Sequence, residues 1–155
     1  NQLIVTNTGS EPVTMVAEIN FLKGSEGNPI VITEAAELTS VTAPAGGETY
    51  YALNSVLNGV TLTIAANENV TVTVNGAQLA ADANGLISVT LAGAPMNKLV
   101  VANAGAEAVE LVAALEWPLG SENNPIVINV ASELTQVEAG KYYAISSMLN
   151  PSVTR

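Results

Sequence analysis

The sequence predicts an all-β protein built from antiparallel β-sandwich modules of about 96 residues. Two observations predict this fold class. The apolar runs are short and many alternate with polar residues, which is typical of half-buried strands, and long amphipathic helical patterns are absent. The chain also repeats itself, because Asn1 and Asn97 open two similar segments that are 96 residues apart.

The repeat is clear without a single gap. Residues 1–39 read NQLIVTNTGSEPVTMVAEINFLKGSEGNPIVITEAAELT, and residues 97–135 read NKLVVANAGAEAVELVAALEWPLGSENNPIVINVASELT. The two segments are identical at 21 of 39 positions. Self-similarity at one fixed spacing is the sequence signature of stacked or strung modules.

The first two apolar runs predict a β-hairpin. Leu3–Thr6 is followed by the turn residues 7–10 and then by Val13–Phe21, whose odd-numbered residues share one face. The same pattern predicts a second hairpin from Leu99–Ala102 and Val109–Trp117. Phe21 and Trp117 are equivalent, so each repeat places one large aromatic residue on the same face.

Six further strands and two single helical turns are expected between the predicted hairpins. The strands are Ile30–Thr33, Ser40–Ala43, Thr49–Leu53, Val60–Ala65, Val70–Asn75 and Leu86–Ala92, and the turns are Glu34–Leu38 and Ala77–Asp82. Val70–Asn75 alternates β-branched residues and ends in an Asn-Gly turn, which is the strongest strand signal in the chain. About eight short strands in 96 residues favour a two-sheet sandwich.

Module boundaries are predicted at the two segments that combine Gly, Ser, Asn and Pro, residues 24–29 and 120–125. The domains are then 1–23, the last hairpin of a preceding repeat; 24–119, a complete sandwich; and 120–155, the first part of a following repeat. In an alternative phasing, 1–96 is complete and 97–155 is partial. Either way the last copy is incomplete and is four residues shorter between Val137 and Tyr142 than the first copy is between Val41 and Tyr50.

Composition excludes several classes of partner. The formal net charge is −10, with 4 Lys+Arg against 14 Asp+Glu, which argues against nucleic acid and against anionic membrane surfaces. The sequence has no run of about 18 apolar residues that would span a membrane. Asn1 is not an initiator Met and does not begin a signal peptide, so we expect the natural chain to be processed or longer.

An enzyme is not expected, and no catalytic, cofactor-binding or metal-binding residue is predicted. The chain has no His and no Cys, and its only Asp is Asp82. Glu26 with Asn28, and Glu122 with Asn124, are candidate calcium ligands at the module junctions, with Glu11 or Glu107 nearby. Each candidate offers one or two carboxylates and lacks a calcium-loop motif, so these residues are interpreted as turn-forming.

The other candidate residues for binding or cross-linking are interpreted as structural. Adjacent strand residues point to opposite faces, so one member of Tyr50-Tyr51, and one of Tyr142-Tyr143, is expected in the core rather than on a sugar-binding platform. No Lys recurs between the copies, which argues against an isopeptide cross-link through Lys23, Lys98 or Lys141. Asn69-Val70-Thr71 is a glycosylation sequon that is short enough to occur by chance.

The repeated G-S-E-x-N-P-I-V-I segment, the following Tyr-Tyr-Ala and the N-x-L-V-V-x-N-x-G segment together resemble tandem Ig-like β-sandwich repeats. Such repeats occur in surface-exposed or secreted proteins of bacteria. The resemblance covers nearly the whole chain and implies an extracellular fibre, stalk or adhesin, in which the repeat is a spacer or filament subunit. It transfers no functional residue.

The partners expected from this resemblance are neighbouring repeats or subunits of the same protein, joined end to end or by strand exchange. The alternative is a module that binds a glycan or a host protein through loops at one end of the sandwich.

Overall fold

The computed structural model describes residues 1–147, and its two large sheets form a β-sandwich between Ile30 and Glu116. The prediction of an all-β sandwich is therefore confirmed. The strands are β1 (Ile30–Ile32), β2 (Ser40–Ala43), β3 (Glu48–Asn54), β4 (Thr61–Ala65), β5 (Val70–Val74), β6 (Ala77–Leu79), β7 (Leu86–Thr90), β8 (Met96–Asn103), β9 (Val109–Glu116), β10 (Ile126–Ile128) and β11 (Tyr143–Ile145). Three short 3₁₀ turns cover Ala35–Glu37, Ser55–Leu57 and Ala131–Glu133.

The strand order shows how the chain is wound. One sheet has the order β1-β3-β8-β5-β6 and the other has the order β2-β9-β4-β7. The antiparallel pairs β2·β9, β3·β8, β4·β7 and β5·β6 nest inside one another like one long hairpin. Rolling this hairpin brings β9 beside β4 and β8 beside β5. This connectivity is that of a jelly roll, with β1 added in parallel at the edge beside β3.

The finer parts of the predicted fold class need correction. An immunoglobulin sandwich pairs its strands in the orders ABED and CFG, and the nested order observed here is different, so an Ig-like topology is not confirmed. The 155 residues are also not a tandem array of 96-residue modules, because the part of the chain from 1 to 147 contains one sandwich and a separate two-stranded sheet, β10-β11.

The hairpin predicted from Leu99–Ala102 and Val109–Trp117 is wrong. The strands β8 and β9 lie in opposite sheets, so the chain between them forms an arch that crosses from one sheet to the other. The backbone around this arch bonds to other loops: Gly105 C=O accepts from Gly46 N–H, and Ala104 N–H donates to Asn69 C=O. Short-range alternation indicates that a segment can form a strand but does not reveal its neighbour.

The helical turn predicted at Ala77–Asp82 is also wrong, because β6 begins there. Asn75 and Gly76 both have positive φ, at 50° and 85°, and this backbone closes the tight β5–β6 hairpin. The expected turn at Glu34–Leu38 is confirmed as the 3₁₀ turn Ala35–Glu37.

The two partial copies that flank the sandwich are only partly folded into strands. Leu3–Thr6 and Val13–Phe21 are not strands, and their apolar side chains are exposed. At the other end, β10 and β11 form the same parallel pair as β1 and β3, whereas residues 136–139, the copy of β2, are not a strand. An isolated strand pair is marginal in water, because too little apolar surface is buried to offset the lost chain entropy.

The core lies between the two large sheets and is formed by the inward-facing residues of each strand. The largest side chains that are essentially inaccessible to solvent include Leu53, Leu62, Ile64, Val72, Leu99 and Val101. Phe21 is exposed, whereas its copy Trp117 packs on the core. The aromatic residue of the repeat therefore contacts the core only in the complete unit.

Asn97 is a fully buried polar residue at the start of β8. Its Oδ1 accepts from Gly93 N–H at 2.8 Å and from Asn75 Nδ2 at 2.9 Å, and its Nδ2 donates to Asn58 Oδ1 at 2.8 Å. A buried amide is tolerated because its donors and acceptors are paired in this way. The network joins the loops after β5 and β7 to the start of β8.

The repeat provides a matched test of core packing. Leu99→Ala removes a side chain that is 0% exposed, whereas Leu3→Ala truncates its copy, which is 84% exposed. We expect Leu99→Ala to lower the free energy of unfolding by about 2–5 kcal/mol. In protein dilute enough to be single chains, we expect Leu3→Ala to change it by less than about 0.5 kcal/mol. Urea unfolding curves measure both, and equal losses would show that residues 1–21 contribute to the sandwich.

Candidate functional site at the repeat junctions

The most distinctive site in the described residues is the tight turn that leads into β1. Gly24 has a φ of 89°, a conformation that glycine adopts readily, and its N–H donates to Asn28 C=O at 2.7 Å. The Asn28 side chain donates from Nδ2 to Phe21 C=O at 2.9 Å. Gly24 C=O in turn accepts from Tyr50 N–H of β3 at 2.7 Å. We call residues 21–28 the first junction turn.

The same arrangement is repeated at the end of the sandwich. Gly120 has the same φ of 89°, and its N–H donates to Asn124 C=O at 2.7 Å. Asn124 Nδ2 donates to Trp117 C=O at 2.8 Å, and Tyr142 N–H donates to Gly120 C=O at 2.7 Å. We call residues 117–124 the second junction turn.

In each junction turn the asparagine amide binds the carbonyl of the turn's first residue, and the glycine carbonyl accepts from the residue at the strand pair that follows. In the second turn, the Asn124 amide holds the carbonyl that follows β9, while Gly120 is held by the residue that precedes β11. Pro125 has no N–H to lose and directly precedes β10, as Pro29 precedes the edge strand β1. The segment that composition marks as a linker is a hydrogen-bonded turn at both places.

The candidate calcium ligands do not form a cluster of carboxylates in the described residues. Glu26 lies 3.5 Å from Lys98 Nζ, and both side chains are exposed, so the pair contributes little. Glu11 and Glu107 contribute their backbone carbonyls, which accept from the amides of Asn7 and Asn103 at 2.7 Å. Over residues 1–147, no three or more Asp or Glu side chains cluster closely enough to hold a metal ion.

The first tyrosine pair divides as predicted, whereas in the second pair Tyr142 is exposed and Tyr143 is only half-buried. Tyr51 is buried in the core, and its hydroxyl accepts from Thr42 N–H at 2.9 Å. Tyr143 makes the equivalent bond with Glu138 N–H at 3.0 Å. These bonds hold the segment before each tyrosine strand against that strand.

Tyr50 lies on the outer face of its sheet, beside a groove of about 320 Å³ that also includes Glu26, Pro29 and Met96. Lys98 Nζ is 5.2 Å from the centroid of the Tyr50 ring, a cation–π geometry. The lysine therefore covers the ring, which leaves this face of the aromatic side chain less available to a sugar.

Two side chains of the first repeat, Tyr50 and Glu37, have shifted pKa values. The Tyr50 hydroxyl donates to Glu48 Oε2 at 2.8 Å, and this bond, with burial and the charges of Glu48 and Glu26, raises the pKa of Tyr50. The pKa of Glu37 is lowered because its carboxylate accepts from the Thr33 hydroxyl and from the Thr33 and Glu34 N–H groups. The Glu37 bonds brace the 3₁₀ turn and do not form a catalytic pair.

The remaining candidate residues are surface or turn residues. Lys23, Lys98 and Lys141 are exposed, whereas an isopeptide bond needs its groups buried together. Asn69 is exposed in the turn before β5, so its sequon is on the surface. Asp82 Oδ1 accepts from the N–H groups of Asn84 and Leu86, which makes it a turn residue.

Comparison with protein-family models, with curated proteins and with solved structures finds no match to this chain. Among residues 1–147, no helix is long and apolar enough to cross a membrane.

The sequence predicts Asn28 and Asn124 as turn-forming residues but does not predict their side-chain bonds to the Phe21 and Trp117 carbonyls. A signal for them exists, because Gly, Asn and Pro recur at the same three places in both copies. The recurrence alone does not show that each turn folds back so that its asparagine reaches the carbonyl of Phe21 or Trp117.

The hydrogen bond between Tyr50 and Glu48 predicts a raised pKa for the Tyr50 hydroxyl, which can be measured. We expect the pKa of Tyr50 to lie above 10 and to fall towards 10 in Glu48→Gln, because the variant loses the charged acceptor. Because folding raises the pKa of Tyr50, the neutral hydroxyl contributes to the free energy of unfolding. This contribution is fully present below the unfolded pKa and is lost as pH rises through the folded pKa. The difference between the ultraviolet titrations of the parent chain and of Tyr50→Phe isolates the Tyr50 hydroxyl. If the pKa of Tyr50 were the same in Glu48→Gln as in the parent chain, Glu48 would not be the cause of the raised pKa.

Proposed function

We propose that this chain is a structural repeat segment of an extracellular bacterial fibre, stalk or adhesin, in which the sandwich is a spacer or filament subunit. The observation that carries the proposal is the repetition of one hydrogen-bonded junction turn before β1 and again before β10. A protein that must hold modules in line needs the same connection at each boundary. A single binding or catalytic site has no such requirement.

The function follows from how the junction restricts motion. A flexible linker of Gly and Ser would let successive modules move independently. Here the Asn124 amide is bonded to the end of one unit, and Gly120 is bonded to the first strand pair of the next. The junction thereby limits the directions in which the next unit can point, and a row of such units would transmit force and set reach.

The sparse charge of the surface supports the same proposal. Only 12% of residues are charged and the balance is acidic, and many outward strand positions, such as Thr42, Thr63 and Thr71, are uncharged. Such a surface does not favour nucleic acid or an anionic membrane as partners. Neighbouring repeats or subunits of the same protein are the partners that the repeated turn supports.

The second candidate is a module that binds a glycan or a host protein, through sandwich-end loops or a surface groove. The feature that favours it is the groove beside Tyr50, which combines an aromatic ring, Met96 and the Lys98–Glu26 pair. Lys98 already lies over the ring, so a stacked sugar would have to displace it. For this reason the spacer proposal is preferred.

A distance measured across the second junction turn tests whether this turn restricts the motion of β10 relative to the sandwich. The chain has no Cys, so spin labels at Thr71→Cys, on the exposed face of β5, and Val127→Cys, on the exposed side of β10, report without background. We expect a narrow distance distribution that broadens in Asn124→Ala, because the bond to Trp117, worth about 1 kcal/mol, is lost. Pulsed electron paramagnetic resonance on dilute protein measures the width.

Asn28→Ala is the matched control for this experiment. It removes the same bond at the first junction, outside the labelled pair, so the distribution should stay narrow. A distribution as broad in the parent chain as in Asn124→Ala would mean that the junction is a flexible tether, and the spacer proposal would be wrong.

A further inference from the structure

The copy at residues 120–147 exposes positions that are core in the complete sandwich. Leu134, Val137 and Ile145 are 41%, 68% and 52% exposed. Their equivalents Leu38, Val41 and Leu53 are 3%, 0% and 0% exposed. The same residue types at the same places in the repeat are therefore left without their covering layer.

The complete unit shows what supplies that layer. β3 pairs along one edge with β1 and along the other with β8. β2 has a single paired neighbour, β9, and β9 also contacts the turn Ala35–Glu37. In the partial copy, β11 pairs only with β10 among the described strands, and residues 136–139 form no strand. Within residues 120–147, no strand occupies the places that β8 and β9 have beside β3 and β2.

Residues 1–21 are the equivalents of β8 and β9. They match residues 97–117 at 9 of 21 positions. The inward-facing residues of β8, Leu99 and Val101, recur as Leu3 and Val5. Those of β9, which are Leu111, Ala113 and Leu115, recur as Met15, Ala17 and Ile19. Each replacement keeps an apolar side chain of similar size.

The arch between the two segments already has the shape that it has in the sandwich. Asn7 Nδ2 donates to Glu11 C=O at 2.7 Å, and Gly9 N–H donates to Asn7 Oδ1 at 2.9 Å. Asn103 makes the same two bonds, to Glu107 C=O at 2.7 Å and from Gly105 N–H at 2.8 Å. Residues 1–21 thus combine a formed arch with two exposed apolar segments, and a preorganised segment loses less entropy on docking.

We propose that residues 1–21 of one molecule dock onto residues 120–147 of a second molecule of this chain, by strand addition at the open edge of β11. This deepens the proposed function, on which it rests, by naming the partner of the second junction as another copy. The positions of β8 and β9 in the chain's own sandwich are already filled, which leaves residues 1–21 available to a second copy. Because donor and acceptor are different surfaces, the contact is head-to-tail and extends into a row of copies.

The repeat fixes the register of this contact. Since Val100 lies opposite Tyr50 and Leu99 opposite Tyr51, Ile4 should lie opposite Tyr142 and Leu3 opposite Tyr143. Since Leu111 lies opposite Val41, Met15 should lie opposite Val137. This pairing covers the exposed apolar face of residues 134–145 and gives 136–139 the neighbour that β2 has.

The first test is association of the full chain. Light scattering across a concentration series should show a mass that rises above one chain. Val5→Asp places a charge at an inward position and should return the mass to one chain. Ile4→Asp, at the adjacent outward position, should leave association largely intact. A single-chain mass at every concentration, or association that Val5→Asp does not reduce, would overturn the proposal.

The second test reads the register. In the chain carrying Ile4→Cys and Tyr142→Cys, mild oxidation should link separate molecules. The yield should exceed that of Ile4→Cys with Tyr143→Cys about tenfold, because a shift of one residue turns the thiol to the other face. Equal yields, no link, or a link within one molecule would each overturn docking between copies. A single-chain mass combined with a narrow distance distribution at the second junction would leave the spacer proposal standing and remove only this inference.

Discussion

The structure depends on the placement of the arch formed by β8 and β9. β8 lies between β3 and β5, and β9 lies between β2 and β4, so each of the two sheets is held together by one arm of the same arch. Their inward residues Leu99, Val101 and Leu111 are buried between the sheets. Where the arch is present, its neighbours form strands and a core. At residues 120–147, which have no strand in its place, the copies of Val41 and Leu53 are exposed.

This dependence explains why similar sequences adopt different states in one chain. Residues 1–21 and 97–117 share their pattern and the bonds of their turn, yet only the second forms strands. Alternation of apolar and polar residues gives a segment the capacity to be a strand, and hydrogen-bonded neighbours on both sides turn that capacity into structure. The local turn needs no such neighbours, because Asn7 and Asn103 bond within their own loops.

The junction turns connect this folding logic to the proposed mechanical role. In each turn a glycine with positive φ reverses the chain, and an asparagine amide binds the carbonyl of the preceding segment. The following strand pair is parallel at both places, β1 with β3 and β10 with β11. Part of the next unit is therefore built onto the turn itself. A boundary of this kind suits a protein whose units are held in a defined direction.

The strands, the core faces and the turns were largely determined by the sequence. Ser40–Ala43 was predicted with its observed bounds, the expected turn is found at Asn75-Gly76, and one residue of the Tyr50-Tyr51 pair is buried while the other faces outward. These features depend on backbone preferences and on side chains that lie near one another in the chain.

The pairing of strands was decided only by the tertiary structure. The segments that read as a hairpin, 99–102 and 109–117, lie in opposite sheets, and the strands are nested in jelly-roll order rather than the expected Ig-like order. The hydrogen bonds of Asn28 and Asn124 join residues whose meeting depends on how the chain folds back. Short-range periodicity reports which face of a strand is apolar. The neighbour that covers this face is chosen by competition among all strands for the same core, and no single segment of sequence carries that information.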